Sequence, residues 1–476
     1  MNKFYITTAI DYVNDTIHLG HAFQKIAADV LGRFYRITLG KDNVFFLTGT
    51  DEYGQKAEKA AKEQNITPAE FVKKISDSDQ AEQDSLNISY DRFIRTTDAD
   101  HAEVVKEIWS RVQKSGDVYS GEYQGSYCEG CEAYYVKEDL KERKCPVHPT
   151  LEIKIVKEQN YFFKWSRYKD FLITHIKNNP DFIFPKHRAN EMLEFAKNIK
   201  DIPISRSNFT WGIPVPEDPK QALPAGRQVI YVWFDALVSY LTGVGFLKDK
   251  VLFKKFWPAD VHILGKDNLR WHALLWPAIL KSAGIELPKT ILVNGFLNIN
   301  GQKISKSVGN VIRPTDWVKK YGADAVRYYL LRYTNLTDDS DISEEKLLQA
   351  YNADLANGLG NLVARVAKLC EKVTLKPTPA PTLSQDYKTG IENFKLNEVL
   401  ENIWNEIKKL DQQINIAQPW KITDQKKLTQ FLHSSVDGIL SVANELKSFL
   451  PETAEKIEEQ FKGPKIVSSK PLFPRM

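Results

Sequence analysis

The N-terminal segment constrains the fold more than any other part of the chain, since it predicts a buried strand, a turn and a helix in succession. Phe4 to Ala9 is a β-branched and aromatic run, typical of a buried strand. Apolar residues then recur at helical spacing from Ala22 to Phe34. Further strand and helix patterns fill the first hundred residues, including a strand at Val44–Leu47 and a helix start at Thr67. This alternation predicts the first half of a doubly wound parallel sheet.

A histidine motif occupies the predicted turn between that strand and that helix. It reads His18-Leu19-Gly20-His21. At such a turn Gly20 lets the backbone approach a ligand, and free amide groups together with the helix dipole favour an anion. His18 and His21 can add donors, so the motif predicts a phosphate site. The alternative is a pair of buried, hydrogen-bonded histidines with a structural role.

A lysine-rich loop lies far along the chain, at residues 301–307 with the sequence GQKISKS. The Asn300-Gly301 pair stands between alternating apolar residues, which predicts a hairpin turn. Lys303 and Lys306 follow on a polar loop, where two ammonium groups could neutralise a leaving pyrophosphate. Gly301 and Gly309 supply hinges for closing over it. The alternative for this segment alone is a solvated basic loop.

Three of the four cysteines fall within eighteen residues. Cys128 and Cys131 form one close pair, and Cys145 and His148 form another, which is the spacing of a tetrahedral zinc knuckle over residues 128–148. A disulfide framework is less consistent with this pattern, because three thiols leave one unpaired and no signal peptide precedes them. Cys370 stands alone on an apolar helical face, as a core residue would.

Taken together, these motifs resemble those of the class I aminoacyl-tRNA synthetases, which carry a His-x-Gly-His motif and a Lys-Met-Ser-Lys-Ser loop. Ile304 stands where the family usually has methionine, an apolar exchange that leaves both lysines in place. The resemblance covers the whole chain. It implies a Rossmann-like α/β catalytic domain with a doubly wound parallel sheet, a zinc-knuckle insertion and an all-α helical bundle. The expected domain limits are catalytic 1–115, insertion 116–228, catalytic 229–295, a stem-contact region with the lysine loop 296–343, and the anticodon-binding bundle 344–476.

The insertion indicates which amino acid is activated. It is similar to the zinc-bearing insertion of the methionyl-tRNA synthetase family. In the cysteinyl enzymes one zinc ligand precedes the His-x-Gly-His motif, whereas no cysteine here precedes Cys128. The leucyl, isoleucyl and valyl enzymes carry large editing insertions, and the stretch from Gly116 to Val229 leaves little room for one.

By the same resemblance, a set of largely aromatic residues lines a methionine side-chain pocket, Asp51 receives the α-amino group and Arg206 steadies Asp51. A thioether is polarisable and almost without hydrogen bonds, so aromatic walls and weak donors from Tyr12 and His272 suit it. The alternative is that these aromatic residues only fill the core. Ala9, Asp11 and Leu237 depart from residues common in the family. The predicted methionine-binding residues are Ile10, Tyr12, Asp51, Trp233, Ala236, Tyr240, Trp271 and His272.

The implied reaction is adenylation followed by transfer. The methionine carboxylate attacks the α-phosphorus of ATP, and a ribose hydroxyl at the tRNA terminus then attacks the mixed anhydride. Catalysis is then mainly positioning and charge stabilisation. By motif match His18 and His21 meet the ATP phosphates, and Lys303 and Lys306 hold pyrophosphate. The predicted ATP-binding residues are His18, Gly20, His21, Gly265, Asp267, Lys303 and Lys306, with Asp267 at the ribose and Mg²⁺ accompanying ATP.

Beyond Pro314 the apolar spacing is helical. Apolar repeats from Leu347 to Leu369, from Leu396 to Ile414 and from Phe431 to Phe449 predict a helical bundle, with a proline-rich connection at 376–381. Its resemblance to the family's anticodon-binding domain implies contacts with the CAU anticodon of tRNA(Met). The matching residues are Asn357, Asn361, Arg365 and Trp420. For Trp420 the alternative is a core position.

Composition excludes some classes of protein. No run of eighteen apolar residues and no cleavable apolar N-terminus occurs, so neither a membrane nor a secreted protein is expected, and the cytoplasm is the default. The net charge of +4 would not by itself suggest a nucleic-acid partner, and DNA is not expected as one. A monomer is expected, since no C-terminal dimerisation module follows the bundle.

Three alternatives to this function remain. They are a synthetase-like paralogue, a non-catalytic tRNA-binding protein and another adenylyltransferase.

Overall fold

The computed structural model describes residues 2–128, 133–135, 140, 144–146, 151–207, 209–216, 228–304, 309–379 and 382–476. Its strands are β1 (Phe4–Thr8), β2 (Asp11–Tyr12), β3 (Val44–Asp51), β4 (Arg92–Arg95), β5 (Val118–Cys128), β6 (Ala133–Tyr135), β7 (Lys154–Phe163), β8 (Ile183–Phe184), β9 (Ile202–Pro203), β10 (Ser205–Arg206), β11 (Val229–Ile230), β12 (Val261–Gly265), β13 (Thr290–Asn294), β14 (Leu297–Ile299), β15 (Gln302–Lys303) and β16 (Ser340–Ile342). Its α-helices are α1 (Leu19–Leu39), α2 (Gln55–Glu63), α3 (Pro68–Ser85), α4 (Ala99–Lys114), α5 (Lys169–Asn178), α6 (Lys186–Ala196), α7 (Val232–Gly243), α8 (Lys250–Phe256), α9 (Trp276–Ser282), α10 (Pro314–Tyr321), α11 (Ala323–Arg332), α12 (Glu344–Ala350), α13 (Asn361–Cys370), α14 (Gln385–Glu392), α15 (Leu396–Ala417), α16 (Gln425–Leu446) and α17 (Pro451–Phe461).

Contacts divide the chain into two units. The first comprises Met1–Ile17, Asp42–Ala81 and Tyr90–Asn294, and the second comprises His18–Lys41, Glu82–Ser89 and Gly295–Met476. The second unit therefore includes α1, which the sequence order alone assigns to the first catalytic segment. The domain limits given above stay predictions.

A parallel sheet forms the centre of the first unit. Within the described residues, its strands run in the order β2, β3, β1, β12, β13, β8, and β4 also pairs with β3. Strand β1 lies at the middle, with Ile6 opposite Phe46 on one side and Val261 on the other. All five residues of β1 are buried, as expected for a strand covered on both faces. The predicted doubly wound sheet is confirmed, and its strand order reverses at β1, where such folds bind ligands.

The predicted insertion and the residues directly after it contribute antiparallel strands to the same unit. Strand β5 pairs with β6 and β7, β7 pairs with β9, and β10 pairs with β11. Phe163 of β7 belongs to the same buried apolar cluster as Trp109 of α4 and Trp276 of α9. Trp109 contacts Phe234 of α7 edge to face, with ring centroids 5.7 Å apart. The insertion and the parallel sheet thus share one core.

Local sequence signals set several element boundaries. Helix α3 begins at Pro68 as predicted, and Thr67 and Glu70 form a reciprocal capping box at its start. The Asn-Gly pair makes the predicted hairpin between β14 and β15, with Asn300 at φ 52° and Gly301 at φ 74°. The apolar repeat after Leu347 is helical throughout, because α12 continues through a π-helical segment, Tyr351–Gly360, into α13.

A buried ion pair ties α1 to the helical part of the second unit. The Arg327 guanidinium of α11 contacts the Asp29 carboxylate of α1 at 2.7 Å, and both side chains are fully buried. Arg327 also donates to the carbonyl oxygens of Phe449 (2.7 Å), Leu86 (3.1 Å) and Ser448 (3.3 Å). Burial alone would raise the pKa of Asp29, but the charges of Arg327 and Arg33 outweigh it and lower that pKa.

Among the described helices, none has the length and apolar character needed to cross a bilayer.

Candidate active site

The carboxyl edge of the parallel sheet gathers several of the predicted site residues. Ile10 follows β1, Asp51 ends β3 and Gly265 ends β12. Tyr12 pairs in register with Asp51, which is 8% exposed. Because neighbouring strands of a parallel sheet end at the same edge, the fold brings these residues together at the point where the strand order reverses. Asp267, in the turn after β12, is exposed to solvent.

Aromatic side chains from α7 and from a π-helical turn, Trp271–Leu275, form one wall near this edge. The rings of Trp233 and Trp271 stack with centroids 4.9 Å apart, and Trp233 meets His272 edge to face at 6.4 Å. Ala236 and Tyr240 lie one and two turns further along α7, and both are buried. A π-helical turn often marks a functional site, and this one carries two of the predicted pocket residues. The wall is therefore one group of side chains in mutual contact, with Trp233 touching both Trp271 and His272.

Hydrogen bonds fix the protonation of His272. Its Nδ1 lies 3.0 Å from the Asn268 carbonyl oxygen, which can only accept, so Nδ1 carries the proton. Its Nε2 lies 2.7 Å from the Tyr240 hydroxyl and accepts from it. Burial lowers the pKa of His272 to about 4, so the ring is neutral near pH 7. The expectation that His272 donates to a thioether is therefore corrected, because its one N–H is used within the protein.

Besides burial, two carboxylates at this edge of the sheet raise the pKa of Tyr240. Burial raises the pKa of Tyr240, the negative charges of Asp51 and then Asp11 raise it further, and a hydrogen bond from the Ile10 main chain opposes them. Asp11, 8% exposed in β2, was not among the residues predicted from the sequence. A charged residue inside an otherwise apolar strand segment is the signal that could have identified it.

Arg206 is positioned by the main chain and by an aromatic ring. Its guanidinium donates to the carbonyl oxygens of Pro203 (3.1 Å) and Ser205 (2.7 Å) and lies 4.0 Å from the Tyr231 ring centroid. Tyr231 in turn meets Trp271 edge to face at 6.3 Å. Arg206 therefore supports the aromatic wall, and its contact with Asp51 stays a prediction.

A fully buried histidine and carboxylate support α7 from behind. His101 of α4 contacts Asp235 Oδ1 through Nε2 at 2.6 Å and Thr242 Oγ1 through Nδ1 at 2.9 Å. The Thr242 hydroxyl donates to the Val238 carbonyl, so it accepts from His101. Both ring nitrogens of His101 are therefore engaged by partners inside the protein. Asp235 lies between Trp233 and Ala236, so this pair holds the turn of α7 that carries them.

In the second unit, the histidine motif caps α1. His18 is the N-cap residue, and its Nδ1 accepts from the Gly20 N–H at 3.0 Å. His21 Nδ1 accepts from the His18 N–H at 3.2 Å, which completes a capping box made of two histidines. The centroids of the two imidazole rings lie 4.1 Å apart. A β-carbon at Gly20 would come within 2.9 Å of the His18 ring, so a larger residue there would displace the ring that caps α1.

The expectation of free amide groups at this turn is corrected. The Leu19 N–H donates to the Ile312 carbonyl, the Gly20 N–H to His18, and the His21 and Ala22 N–H groups to the His18 carbonyl. Because each Nδ1 accepts, a neutral ring carries its proton on Nε2. Desolvation, and then the charge of Lys25, lowers the pKa of His21 and favours that neutral form. With both Nδ1 atoms used in the cap, a hydrogen bond from His18 or His21 to an anion would come from Nε2–H, at the positive end of the helix dipole.

The lysine loop starts close to this motif within the same unit. Ile304 is 4% exposed, and its Cδ1 would lie 4.0 Å from a β-carbon at Gly20. Lys303 is exposed at the end of β15, with Nζ 5.1 Å from the Phe296 ring centroid. Lys306 lies outside the described residues. The structure thus brings together the starts of two motifs that are far apart in the sequence.

Of the predicted zinc ligands, Cys128 and Cys145 are described, and both are fully buried. Cys131 and His148 lie outside the described residues. Within the described ranges, no three or more histidine, cysteine or acidic side chains gather as a metal site. Cys370 is buried in α13, and burial raises the pKa of its thiol to about 12, as expected for an unreactive core residue.

Each of the predicted anticodon residues is at least partly exposed on the bundle. Asn357 and Asn361 are exposed, and Arg365 is partly exposed one turn further along. Arg365 donates to Asp411 Oδ1 at 2.6 Å and Asn415 Oδ1 at 2.8 Å, both on α15. Trp420 follows the end of α15 and is 50% exposed, so the core alternative for it is excluded.

Comparison with known proteins relates the whole chain to one family. The family described as "tRNA synthetases class I (M)" matches residues 4–154 and 128–367. The methionine–tRNA ligase of Thermotoga maritima is 39% identical over 478 residues, covering 96% of this chain and 74% of that protein. The methionine–tRNA ligase of Clostridium tetani is 41% identical over 517 residues, covering 100% and 79%.

Solved structures give the same result. Mycobacterium tuberculosis methionyl-tRNA synthetase in complex with methionyl-adenylate matches with a TM-score of 0.92 and 37% identity, over 100% of both chains. The apo form of that enzyme matches with a TM-score of 0.84 and 34% identity, over 100% of this chain and 98% of the other. The likeness therefore extends from the parallel sheet through the helical bundle.

Proposed function

The chain belongs to the class I methionine–tRNA ligase family, and we propose which of its residues carry the steps of that family's reaction. It is a ligase that activates L-methionine with ATP and charges tRNA. The observation that carries this conclusion is full-length likeness to a structure holding methionyl-adenylate, the product of the first step.

For adenylation, we propose that His18 and His21 donate to the ATP phosphates through Nε2–H. Their Nδ1 atoms are used in capping α1, which orients both rings. Lys303 and Lys306 would stabilise the charge that develops on departing pyrophosphate. Gly20 and Gly265 would allow close approach of the nucleotide, Asp267 would accept from the ribose, and Mg²⁺ would accompany ATP.

The proposed methionine pocket combines aromatic walls with a carboxylate. The stacked pair Trp233 and Trp271 would hold the thioether, and Asp51 would receive the α-amino group. The remaining lining residues are Ile10, Tyr12, Ala236, Tyr240 and His272. With His272 bonded to Tyr240 and Asn268, selection for sulfur would depend on shape and polarisability more than on a donated proton.

Amino-acid-dependent exchange of labelled pyrophosphate into ATP tests this function without tRNA. All twenty amino acids are assayed in parallel, and methionine alone is expected to support exchange. Exchange with a different amino acid would keep the reaction class and contradict the pocket. No exchange with any amino acid would favour a paralogue or a non-catalytic tRNA-binding protein.

Replacing Tyr240 with phenylalanine should raise the KM for methionine about tenfold, equivalent to about 1.4 kcal/mol. The change leaves the buried His272 Nε2 without its donor and frees the ring to turn. Pyrophosphate exchange at varied methionine concentration measures the effect. Tyr119→Phe, which removes a hydroxyl bonded to Asp201 in the insertion, is the matched control. An unchanged KM in Tyr240→Phe would contradict a pocket role.

We further propose that Cys128, Cys131, Cys145 and His148 hold one structural zinc ion. The buried state of Cys128 and Cys145 supports this, because thiolates of closed structural sites are shielded from solvent. Three cysteine thiolates and one histidine nitrogen are also a ligand set that zinc prefers. The ion would stabilise the insertion by binding the folded chain and not the unfolded one.

Metal analysis of the purified protein should find about one zinc ion per chain. Cys128→Ser should lower zinc content and the unfolding temperature together, because a lost ligand weakens both the site and its contribution to folding. Cys370→Ser, which changes a buried thiol outside the proposed site, should keep the zinc. Full zinc content in Cys128→Ser would exclude that residue as a ligand.

For tRNA recognition, we propose that Asn357, Asn361, Arg365 and Trp420 contact the CAU anticodon of tRNA(Met). Amides and a guanidinium can read base edges, and an exposed indole can stack on an unpaired base. The bonds from Arg365 to Asp411 and Asn415 support the assignment, since they hold the guanidinium in one orientation before binding. The cytoplasmic location and the monomeric state stay predictions, and light scattering of the purified protein checks the second.

A further inference from the structure

Glu82, near the end of α3, is a buried carboxylate outside the motifs discussed so far. Its side chain is fully buried, and its oxygens accept three hydrogen bonds and make one further ion-pair contact, all with two residues of another segment. Arg313 donates to it through Nε at 2.7 Å and approaches through a second guanidinium nitrogen at 2.5 Å. Thr315 donates through its main-chain N–H at 2.7 Å and its hydroxyl at 3.0 Å. One carboxylate therefore fixes the residues on both sides of Pro314.

These bonds cap α10 from outside the helix. The N-cap residue of α10 is Arg313, whose side chain makes no capping hydrogen bond, and Pro314 has no N–H to donate. The first N–H of the helix, on Thr315, would be left without an intrahelical acceptor. Glu82 supplies that acceptor and places a negative charge at the positive end of the helix dipole. The start of α10 thus depends on a residue more than 200 positions earlier in the chain.

The segment fixed in this way leads directly back to the lysine loop. Asn310 donates from its side-chain amide to the Lys303 carbonyl at 3.1 Å. Two residues further on, the Ile312 carbonyl accepts from the Leu19 N–H at 3.1 Å, next to His18. Gly309, at φ 74°, turns the chain into this segment. Glu82 therefore holds Arg313, and three residues earlier in the same segment Asn310 holds the main chain of Lys303.

We propose that Glu82 is a positioning residue for the adenylation step. It fixes residues 309–315, and through them the main chain of Lys303 and its distance from His18. The inference rests on the proposed role of Lys303 in stabilising pyrophosphate. Glu82 does not touch substrate in this assignment, because its side chain is buried and fully engaged by Arg313 and Thr315.

The variant Glu82→Gln tests it, because glutamine keeps the size of the side chain but has one acceptor oxygen and no charge. The expected result is about a tenfold lower kcat for methionine-dependent pyrophosphate exchange, with the KM for methionine unchanged. Transfer to tRNA from preformed methionyl-adenylate should keep its rate, because that step releases no pyrophosphate. Glu344→Gln is the matched control: Glu344 accepts from Lys320 (2.7 Å) and Tyr321 (3.0 Å) at the opposite end of α10.

Lys303→Ala is assayed in parallel to separate the two proposals. If Lys303→Ala slows exchange and Glu82→Gln does not, the positioning role is wrong; if neither slows it, the proposed role of Lys303 fails. Equal losses in exchange, in transfer and in unfolding temperature would reduce Glu82 to a structural residue. Arg313→Gln changes the half-exposed partner of Glu82. It should likewise slow pyrophosphate exchange and leave the rate of transfer to tRNA unchanged, even where Glu82→Gln folds poorly.

Discussion

Replacing Lys306 with alanine is expected to slow methionyl-adenylate formation about 100-fold or more, while methionine binding changes by less than about twofold. The reason is the place where charge develops. As the bond from the α-phosphorus to pyrophosphate breaks, negative charge accumulates on the leaving group, and a fixed ammonium group stabilises that charge more in the transition state than in bound ATP. Pre-steady-state adenylation measures the first quantity, and equilibrium titration with methionine the second.

Lys319→Ala serves as the control, because Lys319 is an exposed lysine on α10 that follows the same loop. It should leave both quantities unchanged and so exclude a general effect of net charge. A Lys306→Ala variant that loses methionine affinity as much as rate would contradict the assignment to the leaving group.

The largest expected loss of stability follows from Arg327→Met. This change keeps much of the side-chain volume, but it leaves Asp29 as a buried charge without its main partner and leaves three carbonyl oxygens without a donor. Breaking one side of a buried ion pair costs about 3–5 kcal/mol. Chemical denaturation followed by tryptophan fluorescence and by circular dichroism should show the corresponding shift of the unfolding midpoint.

Lys368→Met provides the comparison, since Lys368 and Glu371 form an ion pair at 2.7 Å on the exposed side of α13. Exposed pairs contribute about 0–1 kcal/mol, so this variant should unfold almost as the parent does. If Arg327→Met costs no more than Lys368→Met, the ion pair is not a principal support of the second unit.

Local patterns were sufficient to predict much of this fold. The alternation of strand and helix near the N-terminus, the Asn-Gly hairpin and the helix start at Thr67 each depend on residues close together in sequence, and each is confirmed. The apolar repeat after Leu347 also predicted helix correctly. Its π-helical segment was not predicted, since an added residue per turn changes the phase of the repeat without ending it.

The candidate site was predictable only where a motif carries its own chemistry. The histidine motif predicted an anion site, but the donors at the Leu19 and Gly20 amides are already used within the protein, one of them by Ile312. Glu82 had no sequence signal at all, because its partners are distant and a lone glutamate late in a helix is ordinarily solvated. Such contacts depend on tertiary packing, which periodicity and spacing do not encode.

The discontinuous composition of the second unit has a consequence for synthesis on the ribosome. Asp29 emerges long before Arg327, and at about 5–20 residues per second the interval is roughly 15–60 s. Throughout that interval α1 lacks α11, which packs against it, and Asp29 has Arg33 but not Arg327 as a charge partner. Nascent chains stalled before α11 should therefore be targets for chaperones and proteases. Once the bundle is complete, α1 is covered and this vulnerability ends.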